Sequence, residues 1–86
     1  MIFKKFKLNK IVFLNRIVVS PMCQYSAIDG CPTKWHYKHL AALSSSGAGA
    51  VMIESTAVNK KGKITHKDLA IYSKRQIHEL KKLIVF

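Results

Sequence analysis

Acidic residues are nearly missing from this chain of 86. Four Asp and Glu stand against fifteen Lys and Arg, a formal net charge of +11, and no acid precedes Asp29. Such an imbalance favours anionic partners, either nucleic acid or a charged surface. Arginine is scarce too. Only Arg16 and Arg75 offer a planar bidentate fork, and the remaining cations are lysines spread from Lys4 to Lys82. No aromatic residues interleave with them as a stacking platform would require. A basic module for nucleic acid or an anionic surface is therefore the runner-up reading. No apolar run approaches the ~20 residues of a membrane span. The run Ile11–Leu14 is too short for a signal-peptide core. Two cysteines without a secretory signal point to a reducing, cytoplasmic setting with no disulfide. The chain is 49% apolar, too apolar for disorder, and 86 residues hold one small domain.

The β-branched and aromatic runs Lys10–Phe13 and Arg16–Val19 flank Leu14-Asn15, so a hairpin is expected there. Ser20-Pro21 ends the second run, since proline removes a ladder donor. Residues 26–33 read as loop, with a turn at Asp29-Gly30. The spacing predicts a helix over Thr33–Ser46 with Thr33 as N-cap. Tyr37, Leu40, Ala41 and Ser44 fall on its inner face, and Gly47 and Gly49 end it. Ala50–Glu54, "AVMIE", fits a strand buried on both faces. Thr56–Leu69 is expected to be a polar connection turning around Gly62. Ser73 and Gln76 form a capping box, with Tyr72 and Ile77 as a staple. The helix behind it should bury Ile77, Leu80 and Ile84, with Phe86 inside or just past it. Two βα units in series imply a parallel pair. One helix face and one sheet edge then lack partners, so the pattern reads as the beginning of something larger.

The stretch Ser20 to Trp35, "SPMCQYSAIDGCPTKW", holds both cysteines, both prolines and the only tryptophan. Cys23, Cys31, His36 and His39 crowd together, but their spacing departs from the short C-x2–4-C and H-x3–5-H loops of structural zinc sites. The two histidines read instead as a polar helix face. Cys23 as a nucleophile would need a histidine base within reach; the histidines are near in sequence, but spacing does not show that they approach it, and a small buried cysteine is the plain alternative, while Cys31 reads as incidental. "SSSGAGA" precedes a strand rather than a helix, unlike a phosphate loop. One arrangement gathers the unusual residues. In a (β/α)8 barrel the strand C-termini and the loops after them build the active site, which places Ser20–Tyr25 and Ser55–Ala57 on one rim.

On these residues the chain resembles a known family. "LNRIVVSPMCQYSAIDGCPTKWH" followed by "GAGAVMIESTAVNKKGKIT" is similar to the N-terminal part of the Old Yellow Enzyme family, in its branch of bacterial NADPH dehydrogenases that carry a cysteine in the first barrel loop. The resemblance implies an α/β fold: a β-hairpin and the first two βα units of a (β/α)8 barrel, left incomplete, with residues 1–86 as the N-terminal part of the domain. It implies FMN as cofactor, NAD(P)H as co-substrate and an activated alkene of enone type as acceptor. Ser20, Pro21, Met22 and Cys23 match the segment along the flavin, and Ala57 a position whose backbone touches the flavin edge. Tyr25 matches a tyrosine on the substrate side. Cys23 matches a cysteine that tunes the flavin, not a nucleophile. The histidine pair that holds the substrate carbonyl and the phosphate-binding loops match nothing here, so no catalytic residue is assigned and the chain alone is expected to be inactive.

Overall fold

The computed structural model describes residues 1–85; Phe86 lies outside the described residues. Six short strands pair two by two. Phe6–Leu8 (β1) and Ile11–Phe13 (β2) form an antiparallel hairpin in the register Phe6 to Phe13 and Leu8 to Ile11. Val18–Val19 (β3) pairs in parallel with Ala50–Val51 (β4), with helix α1, Lys34–Ser44, between them in the chain. Thr56–Ala57 (β5) pairs in parallel with Leu69–Ala70 (β6), and helix α2, Lys74–Val85, follows.

The hairpin sits one strand earlier than the sequence predicts. Its turn is Asn9-Lys10, with Asn9 at φ +54, a conformation asparagine tolerates better than most residues. Phe6 and Phe13 stack across it at 6.2 Å, and the Arg16 guanidinium lies 4.3 Å above Phe6, a cation–π contact. The second run does not fold back on the first. Asn15 instead turns it toward the distant strand: its amide donates to Gly47 O (2.7 Å) and its side-chain oxygen accepts the Ile17 N–H (3.0 Å).

Helix α1 starts at Thr33 as predicted and ends at Ser44, with Ser45 as its C-cap. Its expected inner face is only half realised. Tyr37, Leu40, Ala41 and Ser44 line a cleft of about 280 Å³ against Leu83 and Ile84 of α2. The capping box of α2 is present: Gln76 Oε1 accepts the Ser73 N–H, and Ser73 Oγ accepts the Gln76 N–H. The buried face of that helix differs from expectation. Gln76 and Leu83 are buried, whereas Ile77 and Ile84 are exposed. The "AVMIE" run, read as covered on both faces, is half-buried at Val51 and exposed at Met52. It has a partner strand on one side only, β3. The polar connection between residues 56 and 69 contains the pair β5–β6 and a 3₁₀ turn, Lys60–Gly62, capped by Asn59. Asp68, buried just before β6, organises its approach by accepting the N–H groups of Ile64 (2.8 Å) and Thr65 (3.0 Å) and the Thr65 hydroxyl (2.9 Å).

Those bonds, with the Thr65 N–H foremost, hold the Asp68 carboxyl below its usual range. Its folded pKa is lower than its unfolded one, so its contribution is complete above the unfolded value, about 3.9, and is lost as pH falls through the lower folded value. Asp68→Ala is expected to remove about 2–3 kcal/mol by stranding two backbone donors. Urea midpoints at neutral pH and near pH 3 check both statements, because the variant should lose less on acidification than the parent.

The chain covers its surface poorly. Its accessible area is 6553 Å², against about 5,100 Å² for a folded monomer of 9.7 kDa. The radius of gyration is 14.2 Å, against about 12 Å for a compact domain of this length. Among the described residues the buried apolar ones (Ala27, Cys31, Ala57, Leu69, Ala70 and Leu83) are mostly small. Among the described residues no helix is long and apolar enough to cross a membrane.

Candidate functional site

Ser20 to Tyr25 leaves the C-terminal end of β3. The Met52 N–H donates to Val19 O (3.0 Å), so the chain beyond β4 starts out beside it. Ser20, Pro21, Met22 and Tyr25 are exposed and Cys23 is a half-buried free thiol. Pro21 has no N–H, and the N–H groups of Met22 and Cys23 donate to nothing among the described residues. The segment therefore offers a strip of open backbone polar groups next to an exposed methionine and tyrosine.

Side chains from α1 and the loop before it hold this strip. Gln24 Nε2 donates to Met22 O (2.8 Å) and Gln24 Oε1 accepts the Trp35 indole N–H (2.9 Å). The Ser26 hydroxyl donates to Gln24 O (2.9 Å), and the Thr33 hydroxyl to Ser26 O (3.0 Å). Tyr25 has φ +53. A non-glycine residue in the left-handed region costs about 1 kcal/mol and persists where its neighbours over-determine it. Here both neighbours are pinned, and the Tyr25 ring stays 55% exposed. The Asp29-Gly30 turn closes the loop, with both residues at positive φ and Ile28 bridged to Cys31, the geometry of a type I′ turn.

Ala57, on β5, is placed differently from the other assigned residues. It is buried, and its carbonyl accepts the Ile71 N–H (2.8 Å). Part of its backbone edge thus already serves β6. Ser20–Cys23 and Ala57 follow neighbouring parts of the fold but are not joined by any hydrogen bond among the described residues.

The residues that link this region escape the sequence reading. His36, read there as part of a polar helix face, is 1% exposed, and Glu54 is 8% exposed. The Thr33 N–H donates to His36 Nδ1 (2.9 Å), so the third helical residue caps the helix with an imidazole. His36 Nε2 lies 3.5 Å from Glu54 Oε2. Burial, reinforced by His39, pushes the His36 pKa down; burial pushes the Glu54 carboxyl up, partly opposed by the Gln24 backbone N–H. His39 stacks on Trp35 at 6.1 Å, so both histidines are engaged away from the Cys23 thiol. A signal for this pair is present in the sequence. Glu54 is one of four acids and closes an apolar run, where a carboxylate needs a buried partner.

With that geometry in hand, comparison with known proteins identifies the class. The sequence profile of the NADH:flavin oxidoreductase / NADH oxidase family matches residues 1–85, and the chain belongs to that family. FMN with NAD(P)H is the cofactor set of the family. The chain is 39% identical over 85 residues to an NADH:flavin oxidoreductase of Gibberella zeae, covering 99% of this chain and 21% of that protein. It is 40% identical over 85 residues to an NADPH dehydrogenase of Listeria monocytogenes, covering 96% of this chain and 25% of that protein. The chain thus spans about a quarter of the length of these curated relatives. Among solved structures, morphinone reductase superposes with a TM-score of 0.85 at 17% identity, over 98% of this chain and 22% of that one. TcOYE, solved with pHBA, gives 0.84 at 24% identity over 98% of this chain and 23% of its own. The fold is therefore that of the corresponding part of these enzymes, a mixed α/β piece with no closed barrel among the described residues.

Proposed function

We propose that residues 1–86 supply the N-terminal part of an FMN-dependent NAD(P)H oxidoreductase of the ene-reductase type. In this reading β1–β2 is the hairpin, and β3–α1 and β4–α2 are the first two βα units of a (β/α)8 barrel. The observation that carries it is the Ser20–Tyr25 strip: open backbone donors at the C-terminal end of a parallel strand, where α/β barrels bind their ligands. The excess accessible area supports the incomplete barrel, because it leaves a surface suited to the remaining units.

Bound FMN supplies hydride transfer from NAD(P)H to the β-carbon of an activated alkene such as an enone. The chain's residues fit one edge of such a ring. The Met22 and Cys23 N–H groups are unused, and Ser20 and Pro21 lie open beside them. Ala57 adds a second backbone edge, Cys23 tunes the ring, and Tyr25 faces the substrate. The setting is the cytoplasm.

The test is a chimera in which this chain replaces the matched quarter of the L. monocytogenes NADPH dehydrogenase. The chimera should purify yellow with FMN and oxidise NADPH in the presence of an enone. The 86-residue chain by itself should bind FMN at least roughly a hundredfold more weakly, a deficit of about 2.7 kcal/mol, and should turn nothing over. A folded chimera without FMN, or a yellow 86-residue chain that oxidises NADPH, overturns the proposal.

A further inference from the structure

We propose that Gln24 and Trp35 are positioning residues for the open Cys23 N–H: they hold the carbonyl side of the Met22–Cys23 peptide, so that its N–H points outward to a ligand. The inference rests on the flavin reading only for what that N–H meets, an acceptor atom on the edge of the ring. The relay itself stands on the geometry of the chain. The Trp35 indole N–H donates to Gln24 Oε1 (2.9 Å), and Gln24 Nε2 donates to Met22 O (2.8 Å). A trans peptide is planar, with its C=O and N–H pointing in opposite directions. Holding Met22 O toward Gln24 therefore aims the Cys23 N–H the other way, where nothing among the described residues accepts it.

The residue types fit positioning better than stability. A glutamine amide can turn either end toward a neighbour, whereas an indole N–H is a donor only. The Trp35 N–H therefore selects the Gln24 oxygen and leaves the Gln24 nitrogen for the Met22 carbonyl. His39, one turn further along α1, stacks on the indole at 6.1 Å with the ring planes 12° apart, the contact that i, i+4 spacing allows. A phenylalanine at this position would keep an aromatic ring there but could not make the selection. Trp35 is 46% exposed, and both bonds of the relay lie in exposed surroundings, where water competes for the same groups and the net gain in stability is small. What the relay fixes is a direction. The next residue, Tyr25, has φ +53 and needs neighbours that over-determine it. Gln24 meets that need, because its side chain is held by Trp35 and its carbonyl accepts the Ser26 hydroxyl.

The experiment uses the 86-residue chain labelled with ¹⁵N at neutral pH. It is weakly aligned in an uncharged stretched gel, because a chain of net charge +11 would bind a charged medium. The residual dipolar coupling of each N–H then reports its direction and how firmly it is held. In the parent, the Cys23 coupling should match its direction in the structure and be as ordered as those of α1. Gln24→Glu keeps the volume and the acceptor for the Trp35 N–H but sets a carboxylate oxygen against Met22 O. Losing that bond lowers the population of the held orientation about fivefold, so the Cys23 coupling should change by more than about half. The couplings of α1 and the urea midpoint should stay parental, which a merely structural role for Gln24 would not allow. Trp35→Phe frees the Gln24 amide to turn and should move the Cys23 coupling the same way by a smaller amount. A parent Cys23 coupling averaged toward zero overturns the proposal even if neither variant folds. So does a folded Gln24→Glu with the parental coupling, and a folded Trp35→Phe with the parental coupling overturns the role of Trp35. None of these readouts contains flavin, so failure of the relay and failure of the flavin reading are told apart.

Discussion

Gly30→Ala is expected to remove about half or more of the chain's stability at room temperature, while Gly47→Ala removes only a small part of it. Both glycines have positive φ, +73 and +97, so each alanine carries a left-handed penalty of about 1 kcal/mol. Their surroundings decide the rest. A methyl at Gly47 meets nothing within 4 Å, whereas one at Gly30 would lie 2.5 Å from Gln76 Nε2 and 2.8 Å from Ala70 Cβ. Ala70 is buried on β6, and its N–H donates to Gly30 O (3.0 Å), so the turn cannot retreat without breaking that bond. Overpacking of this kind costs about 1–3 kcal/mol, which brings the total to about 2–4 kcal/mol. Small single domains have only about 5 kcal/mol to lose. Urea or thermal midpoints of the two variants, measured side by side, check the contrast; equal losses would mean that backbone conformation alone governs both sites.

The elements legible in the sequence are those fixed by neighbours a few residues away. Thr33 at the start of α1, Ser73 with Gln76 at the start of α2, and the Asp29-Gly30 turn all appear where their chemistry puts them. The elements that sequence misplaces depend on distant partners. Arg16–Val19 looks like half of a hairpin because its residues favour strands, but its partner is β4, some thirty residues on, and local propensity does not encode that choice. Strands β5 and β6 have two residues each, too few to show a period. Apolarity assigns the inner face of α2 to Ile77 and Ile84 and leaves Gln76 a capping role alone. In the fold Gln76 is also a core contact, while both isoleucines stay exposed, Ile84 at the edge of the cleft that α1 lines. The strip Ser20–Tyr25 is found through strand order and family resemblance, and its support is not. The buried pair beside it joins a histidine that spacing assigns to a polar face to a glutamate that closes an apolar run, and their meeting depends on how α1 lies against β4.

Gln76→Glu should produce the most pH-dependent variant of this chain. The Gln76 side chain is 2% exposed. Its oxygen accepts the N–H groups of Tyr72 (3.0 Å) and Ser73 (3.1 Å), and its nitrogen donates to Asp29 O (3.0 Å). Glutamate keeps the accepting oxygen but sets a second, charged oxygen against the Asp29 carbonyl. The N-terminus of α2 favours a negative charge there by about 0.3–1 kcal/mol. Loss of the donor and burial of an unpaired acceptor cost more, about 2–3 kcal/mol, so the variant is destabilised at neutral pH. Protonation restores a donor toward Asp29 O. The folded pKa of the introduced carboxyl is therefore raised above the unfolded value of about 4.3. Its stabilising contribution is complete below that value and is lost as pH rises through the folded pKa. Relative to the parent, Gln76→Glu should recover most of its deficit between pH 7 and pH 4, whereas Gln76→Ala, which strands two backbone donors at every pH, should not. The parent itself weakens in acid as His36 and Asp68 take up protons, so the difference from the parent at each pH is the quantity to follow, by urea titration. A deficit for Gln76→Glu that stays constant with pH would mean that the Asp29 contact contributes little and that α2 is anchored through its cap alone. The same contact limits Gly30, because the methyl of Gly30→Ala would strike the atom that donates to Asp29 O. Gly30→Ala combined with Gln76→Ala should therefore be less damaging than the sum of the two.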